Sequence, residues 1–323
     1  MEGHSSLFTC TKLWSCILYR LLLLTVGKYS HILICQVVQR FKMDDEVSSE
    51  IYQENNYFTR KKPTFDDKNV VSKFNFVLPQ RWPGLMSVDA DGDLNVLRRN
   101  SASPTESIEI EHKQSTIIDM VGLQIWRGAL LLADWLIYNH EEIPKDSVIL
   151  ELGSGVGLTS VVASMYFPVI CTDVNRGNIL GLIESNVTRN KNLSRHAVRV
   201  LELDFLSPDI PGEILEQLPN ISVIIAADTV YDDTITEAFV RTVHRLVTFS
   251  PSPAGKRSVY IALEKRFVFT LSECDTVAPC YEYYLKCLDK LTGVKCEEVS
   301  LAFPKSFEYD RVKELVLWKV TSV

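Results

Sequence analysis

After residue 117, short continuous apolar runs alternate with stretches whose apolar positions recur every three or four residues. The runs 147–152, 169–172, 197–203, 221–227 and 258–264 predict strands. The stretches 124–140, 176–192, 232–249 and 281–291 predict helices, the first of them amphipathic, and a further helix to residue 165 follows the first strand. Strands apolar throughout, separated by helices, imply a parallel sheet covered on both faces. Two final strands, 295–303 and 314–320, have no helix between them, which predicts an antiparallel edge. Upstream, residues 44–107 are polar and turn-rich, with strand candidates at 70–78 and 108–112. Before them, Leu13–Val38 is apolar but interrupted by Arg20, Gly27, Lys28 and His31. Its longest pure run is far short of the ~20 residues of a membrane-spanning helix, and no small-residue cleavage pattern follows it. It reads as an atypical extension, with Met43 as an alternative start.

The division that results is 1–43 (extension), 44–110 (polar, turn-rich region) and 111–323 (α/β domain). With 46 % apolar and 23 % charged residues the chain has the composition of a globular protein. A formal net charge of −7 disfavours direct binding to a polyanion and suits a basic partner such as a Lys-rich protein. The eight cysteines contain no C-x-x-C pair, so they read as free thiols of a reducing compartment, with neither a disulfide frame nor a zinc site. The acidic run Asp89–Leu94 is a turn: its glycine comes too early for a calcium loop, and Asn100 stands where the closing Glu belongs.

The chemistry concentrates in VILELGSGVGLTS, residues 148–160. Here a strand runs into Gly153-Ser154-Gly155-Val156-Gly157 and a helix starts at once, so a ligand can approach the main chain closely. Two details separate this turn from a dinucleotide site. Leu158 occupies the place of the third small residue of G-x-G-x-x-G/A. Glu151 precedes the first glycine, where it would repel a pyrophosphate but attract a sulfonium and an ammonium. Asp173 and Asp204 end the next two strands, placed to take ribose hydroxyls and an adenine amine.

The ordered segments ELGSGVGL, CTDV, ELDF and AADTVYDD resemble the motifs of the class I, seven-β-strand, S-adenosylmethionine-dependent methyltransferases. The segment Asp228-Thr229-Val230-Tyr231 is similar to the D/E-x-x-Y/F motif of their protein-lysine branch, and VGLQIWRGALLLADWL (121–136) to that branch's Trp-bearing segment. The likeness extends through DGDLNVLRR, IEIEH, EKRFVFTL and LVLWKV, covering roughly residue 89 to the end. It implies a Rossmann-like α/β fold, with a mostly parallel seven-stranded sheet, an antiparallel C-terminal edge and a small N-terminal region. It implies S-adenosylmethionine as cofactor, held by Glu151, Gly153, Ser154, Gly155, Asp173 and Asp204, with Ala227 beside them. Trp126 reads equally as a core residue or as an aromatic covering the adenine. Asp228 and Tyr231 are then expected to shape the mouth where lysine enters, Asp228 orienting the amine.

The implied substrate is a lysine-bearing protein, a nuclear nucleic-acid-binding protein of the KIN type. A monomer in nucleus or cytoplasm, without membrane attachment, is expected. No metal is expected, because an activated methyl donor needs alignment rather than a Lewis acid. Thr229 and Val230 replace the two prolines of the D/N-P-P-Y/F motif used on planar amide or adenine nitrogens. Methylation of another side chain such as histidine, nicotinamide-dependent redox chemistry and a non-catalytic binding module stand as alternatives.

Overall fold

The structure, a computed structural model, describes residues 46–54, 69–78, 105–249, 256–270 and 275–323. The apolar extension and the acidic run at 89–94 lie outside them. Contacts divide the chain into Met1–Glu46 with Ile117–Asp119, and Val47–Thr116 with Met120–Val323. The second unit carries all that follows.

Its centre is a seven-stranded sheet. An N-terminal hairpin comes first, with β1 (Val70–Val77) and β2 (Thr105–His112). The sheet then takes β3 (Val148–Leu152), β4 (Val169–Asp173), β5 (Val198–Glu202), β6 (Ile221–Ala227), β7 (Ser258–Glu264), β8 (Val294–Val299) and β9 (Leu315–Ser322). Their order is β8-β9-β7-β6-β3-β4-β5. The five from β3 to β7 are mutually parallel. The antiparallel pairing expected at the C-terminal end is made by β9, which inserts between β7 and β8 and opposes both. The chain leaves β3 in one direction for β4 and β5, then returns to β3's other side with β6. That reversal opens a crevice at the carboxyl ends of β3 and β6, where open α/β sheets bind ligands.

Alternation along each strand feeds two cores. Ile149, Cys171, Val223, Ile225, Ala262 and Leu317 face helices α1 (Arg127–Asn139), α2 (Leu158–Ala163) and α3 (Ile179–Arg189). Leu150, Ile170, Ile224, Ile261 and Val320 face α4 (Gly212–Gln217), α5 (Asp233–Thr248) and α6 (Pro279–Leu288). In β6 six of seven residues are buried, the consequence of cover on both sides. The helix expected as amphipathic at 124–140 instead starts at Arg127, after an extended Trp126, and is buried almost all round. It lies between the sheet and the N-terminal hairpin's core residues. The short α4 was not evident from the pattern. Asp232 caps α5, its side chain accepting from Ile235 N at 2.9 Å.

The N-terminal hairpin belongs to the same core. β1 and β2 pair from Val70↔His112 to Val77↔Thr105. Phe74, Phe76, Ile108 and Ile110 point inward and are at most 1 % exposed. On the outer edge, two asparagines one turn apart on α3 act as a substitute strand. Asn186 accepts from Glu111 N and donates to Glu111 O, and Asn190 does the same with Glu109. β2 therefore runs continuously across residues 110 and 111.

A buried polar knot ties Tyr52 to this hairpin. The Tyr52 hydroxyl accepts from Ile125 N at 2.7 Å and stands 3.1 Å from His112 Nδ1. A neutral His112 ring with its proton on Nδ1 donates to Lys113 O and accepts the Ser72 hydroxyl at Nε2. Burial holds His112 down at a pKa of about 4, against 6.5 when free. As pH falls from about 6.5 to 4 the unfolded chain gains this proton and the native one does not. Up to ~3 kcal/mol of stability is expected to drain away across that window. Urea unfolding of wild type and His112→Gln over pH 4–8 checks this. The wild type is expected to show the steeper acid loss, and parallel curves would refute it.

Candidate active site

The glycine turn after β3 is built as the sequence suggests. Gly153, Gly155 and Gly157 have φ of 65°, 57° and 82°, a region that disfavours every residue with a Cβ. A Cβ on Gly155 would lie 3.0 Å from Gly122 O, and one on Gly153 would lie 2.9 Å from Thr229 Cγ2. Ser154 braces the turn against β4: its hydroxyl donates to Thr172 O and accepts from Thr172 N, both at 3.0 Å. Its side chain thus faces the sheet, leaving the backbone to face the crevice.

Two carboxylates frame the turn. Glu151 is 1 % exposed and its Oε2 accepts from Ser160 Oγ at 2.5 Å. Burial pushes its pKa up to about 7 although Ser160, Thr159 and Ser154 pull it down, and the charge of Asp173 adds to the rise. Asp173 Oδ2 accepts from Gly155 N and Oδ1 from Val174 N, each at 2.8 Å. Burial raises its pKa to about 6 against those two bonds and Arg176. Glu151 is shut off from water and Asp173 is half-buried, both surrounded mainly by neutral donors, an environment in which a cation or hydroxyl-rich ligand is favoured. Asp204 follows β5, its Oδ1 accepting from Leu206 N at 2.9 Å. Its neighbour Phe205 reaches the turn, with its ring 3.6 Å from a Cβ placed on Gly153.

At the end of β6, Ala227 is half-buried and Asp228 has φ of 50°. Asp228 Oδ2 accepts from Gly128 N at 2.7 Å and Oδ1 from Glu264 N at 3.0 Å, so its carboxylate joins β6, α1 and β7. Thr229, next along, packs on Gly153. Tyr231 is half-buried, its carbonyl accepting the Cys280 thiol of α6. Trp126 is half-buried too: its indole donates to Val121 O at 2.9 Å, and the Arg266 guanidinium stacks 4.3 Å over its ring.

The structure therefore brings Glu151, Gly153, Ser154, Gly155 and Asp173 together around one turn. Asp228 joins them through Thr229, and all the expected residues sit at one sheet edge. A set of charged residues missed in the sequence adjoins them. Arg127 pairs with Glu54 and Glu264, both at 2.7 Å, and Arg266 pairs with Glu50 at 3.1 Å. The one available signal was an arginine directly after Trp126, at the start of a buried helix.

The strand order, the glycine cradle and the acids at three strand ends define a class I methyltransferase, whose cofactor is S-adenosylmethionine. Residues 104–276 match the family described as "Lysine methyltransferase", and the chain belongs to that family. It is 34 % identical over 260 residues to "Methyltransferase-like protein 22" of Mus musculus, covering 74 % of this chain and 65 % of the relative. The human protein of the same name is 31 % identical over 288 residues, covering 72 % of this chain and 70 % of the relative. "Protein-lysine methyltransferase METTL21E" of Bos taurus is 32 % identical over 144 residues, covering 43 % and 47 %. The chain thus spans about two thirds of the length of the first two.

Proposed function

We propose that the protein transfers the methyl group of S-adenosylmethionine to the ε-amine of a lysine on a protein substrate. The observation that carries this reading is the left-handed glycine turn at 153–157 held between two acids, the buried Glu151 and the half-buried Asp173. A phosphate would meet repulsion from both, whereas a ligand with a sulfonium, an ammonium and a ribose diol matches them. In this reading Glu151 and the Gly153–Gly155 backbone receive the amino-acid end of the cofactor. Asp173 takes the ribose hydroxyls and Asp204 the adenine amine. Trp126, pinned by Arg266, walls the pocket.

When bound, the cofactor supplies an already activated methyl group. The chain's task is then alignment and exclusion of water, which the apolar surroundings of Thr229, Phe205 and Trp126 favour. Tyr231, at the end of the D-x-x-Y segment, narrows the approach from the β6 side. For substrate class we propose a Lys-rich nucleic-acid-binding protein of the KIN type. The net charge of −7 suits a basic partner, and the likeness of segments 89–323 to the protein-lysine branch carries the expectation.

The test is to incubate the full chain with methyl-labelled cofactor and cell extract, then hydrolyse the labelled band. Label in methyl-lysine is expected. Label in methyl-histidine, or none above a Gly153→Arg control, would overturn the lysine assignment.

A further inference from the structure

The carboxylate that the D-x-x-Y segment offers to an incoming amine is already engaged. Both oxygens of Asp228 accept backbone N–H groups, from Gly128 in the first turn of α1 and from Glu264 at the end of β7. The strut fits only over glycine, since a Cβ at position 128 would lie 2.4 Å from Asp228 Oδ2. Asp228 is thus a brace that sets where α1 and β7 end.

What it sets in place is Glu264. Strand alternation puts this side chain on the face of Ala262 and Tyr260. Across the ladder that is also the face of Ala227, Ile225 and Glu151. Glu264 is held at two points: its backbone N–H on Asp228, and its Oε1 on Arg127 at 2.7 Å. Arg127 is itself fixed by Glu54. The other oxygen, Oε2, is buried and has no hydrogen-bond partner, in a side chain only 10 % exposed. A second orphan is Thr229 Oγ1, next to Asp228 in the chain, on the residue that packs against Gly153. Buried acceptors of native proteins are ordinarily paired, so an orphan carboxylate oxygen on the strand face shared with Glu151 marks where a donor is due. A carboxylate oxygen pairs best with an ammonium or amine.

We propose that Glu264 Oε2 accepts a hydrogen bond from the ε-amine of the substrate lysine and orients it, with Asp228 as the brace that positions Glu264. This rests on the lysine reading above. The role is a hydrogen bond, with no bond made or broken at the carboxylate. Burial raises the Glu264 pKa against the pull of Arg266 and Arg127, a cost that an amine donor offsets.

Sinefungin tests the assignment. It carries a primary ammonium where the cofactor carries its methyl-bearing sulfonium, so it offers a donor that S-adenosylhomocysteine lacks. Calorimetry on the full chain is expected to show sinefungin binding about tenfold or more tighter than S-adenosylhomocysteine, the worth of a hydrogen bond to a charged group. Glu264→Gln is expected to bring that ratio close to one while S-adenosylhomocysteine affinity stays within about twofold. If the Gln variant fails to fold by circular dichroism, Glu264→Asp keeps the charge, draws Oε2 back and is read in the same way.

An unchanged ratio would overturn the proposal. So would an equal loss for both ligands, which would assign Glu264 to the amino-acid end of the cofactor that they share. The two readings fail separately. A lost sinefungin preference with no methyl-lysine in the labelled hydrolysate would remove the lysine and leave Glu264 as an ammonium acceptor. Methyl-lysine with an intact preference would do the reverse.

Discussion

Arginine at position 153 is expected to abolish cofactor binding in a protein that still folds. Gly153 has φ of 65°, where a residue with a Cβ pays about 1–2 kcal/mol. Its Cβ would press on Thr229 Cγ2 at 2.9 Å, in a buried side chain that must shift, and approach the Phe205 ring at 3.6 Å. Backbone strain and overpacking together are worth about 2–5 kcal/mol. For a chain of this size that lowers Tm by about 4–20 °C. The rest of the arginine then fills the mouth of the turn, where the ligand's main-chain contacts are made. Loss of S-adenosylhomocysteine affinity by at least ~100-fold is expected, equivalent to about 2.7 kcal/mol. Calorimetry and a thermal melt on one preparation decide the matter. Native-like affinity would remove the turn from the site, and loss of the native circular-dichroism spectrum would make Gly153 a folding residue first.

Asp134→Ala is expected to be the most destabilising single change in the described fold. Asp134 sits in α1 with no exposed surface. Oδ1 accepts from Ser306 N and Phe307 N at 2.8 and 3.0 Å, and Oδ2 from Tyr309 Oη and Arg311 Nη2 at 3.0 and 2.6 Å. Burial pushes its pKa up against the two backbone amides and Arg311. Alanine leaves a guanidinium, a phenol and two amides facing an apolar gap, a loss of about 3–5 kcal/mol. That is a large share of the ~5–15 kcal/mol that holds a domain together. Asp134→Asn keeps an acceptor for the two amides, so it is expected to fall between. Urea unfolding measures both, and a loss below about 1 kcal/mol for alanine would show that water replaces the carboxylate.

These two positions mark the limits of what the chain's letters convey. The glycine turn was legible because its signal is local: a strand, three glycines and a helix within 13 residues. The strands β6 and β7 were legible to the residue, since burial on both faces requires an unbroken apolar run. Glu264 and Arg127 were not, because their meaning lies in a pairing across 137 residues that leaves no periodicity. The same holds for Glu50 and Arg266, 216 residues apart. Asp134 left a trace that can be read in retrospect. An acid within LLLADWL, in a helix apolar on every side, has to have charged and polar partners brought to it. That β2 runs across residues 110 and 111 was not legible either, because Asn186 and Asn190, which hold it, look like ordinary solvent-facing polar positions of a helix.

The insertion of β9 between β7 and β8 has a bearing on the order of assembly. The strands β3 to β7 can grow outward by successive parallel crossovers, each new strand finding a free edge. β8 cannot follow that rule, because its sole neighbour in the sheet is β9, which comes later in the chain. It must wait, or pair with β9 first and dock as a unit. The connector between them carries Ser306, Phe307, Tyr309 and Arg311, the groups that Asp134 gathers. α1 therefore holds the socket that fixes this connector in register. A single carboxylate thus fixes a connector 172 to 177 residues further along the chain, a long-range closure of the kind that slows folding.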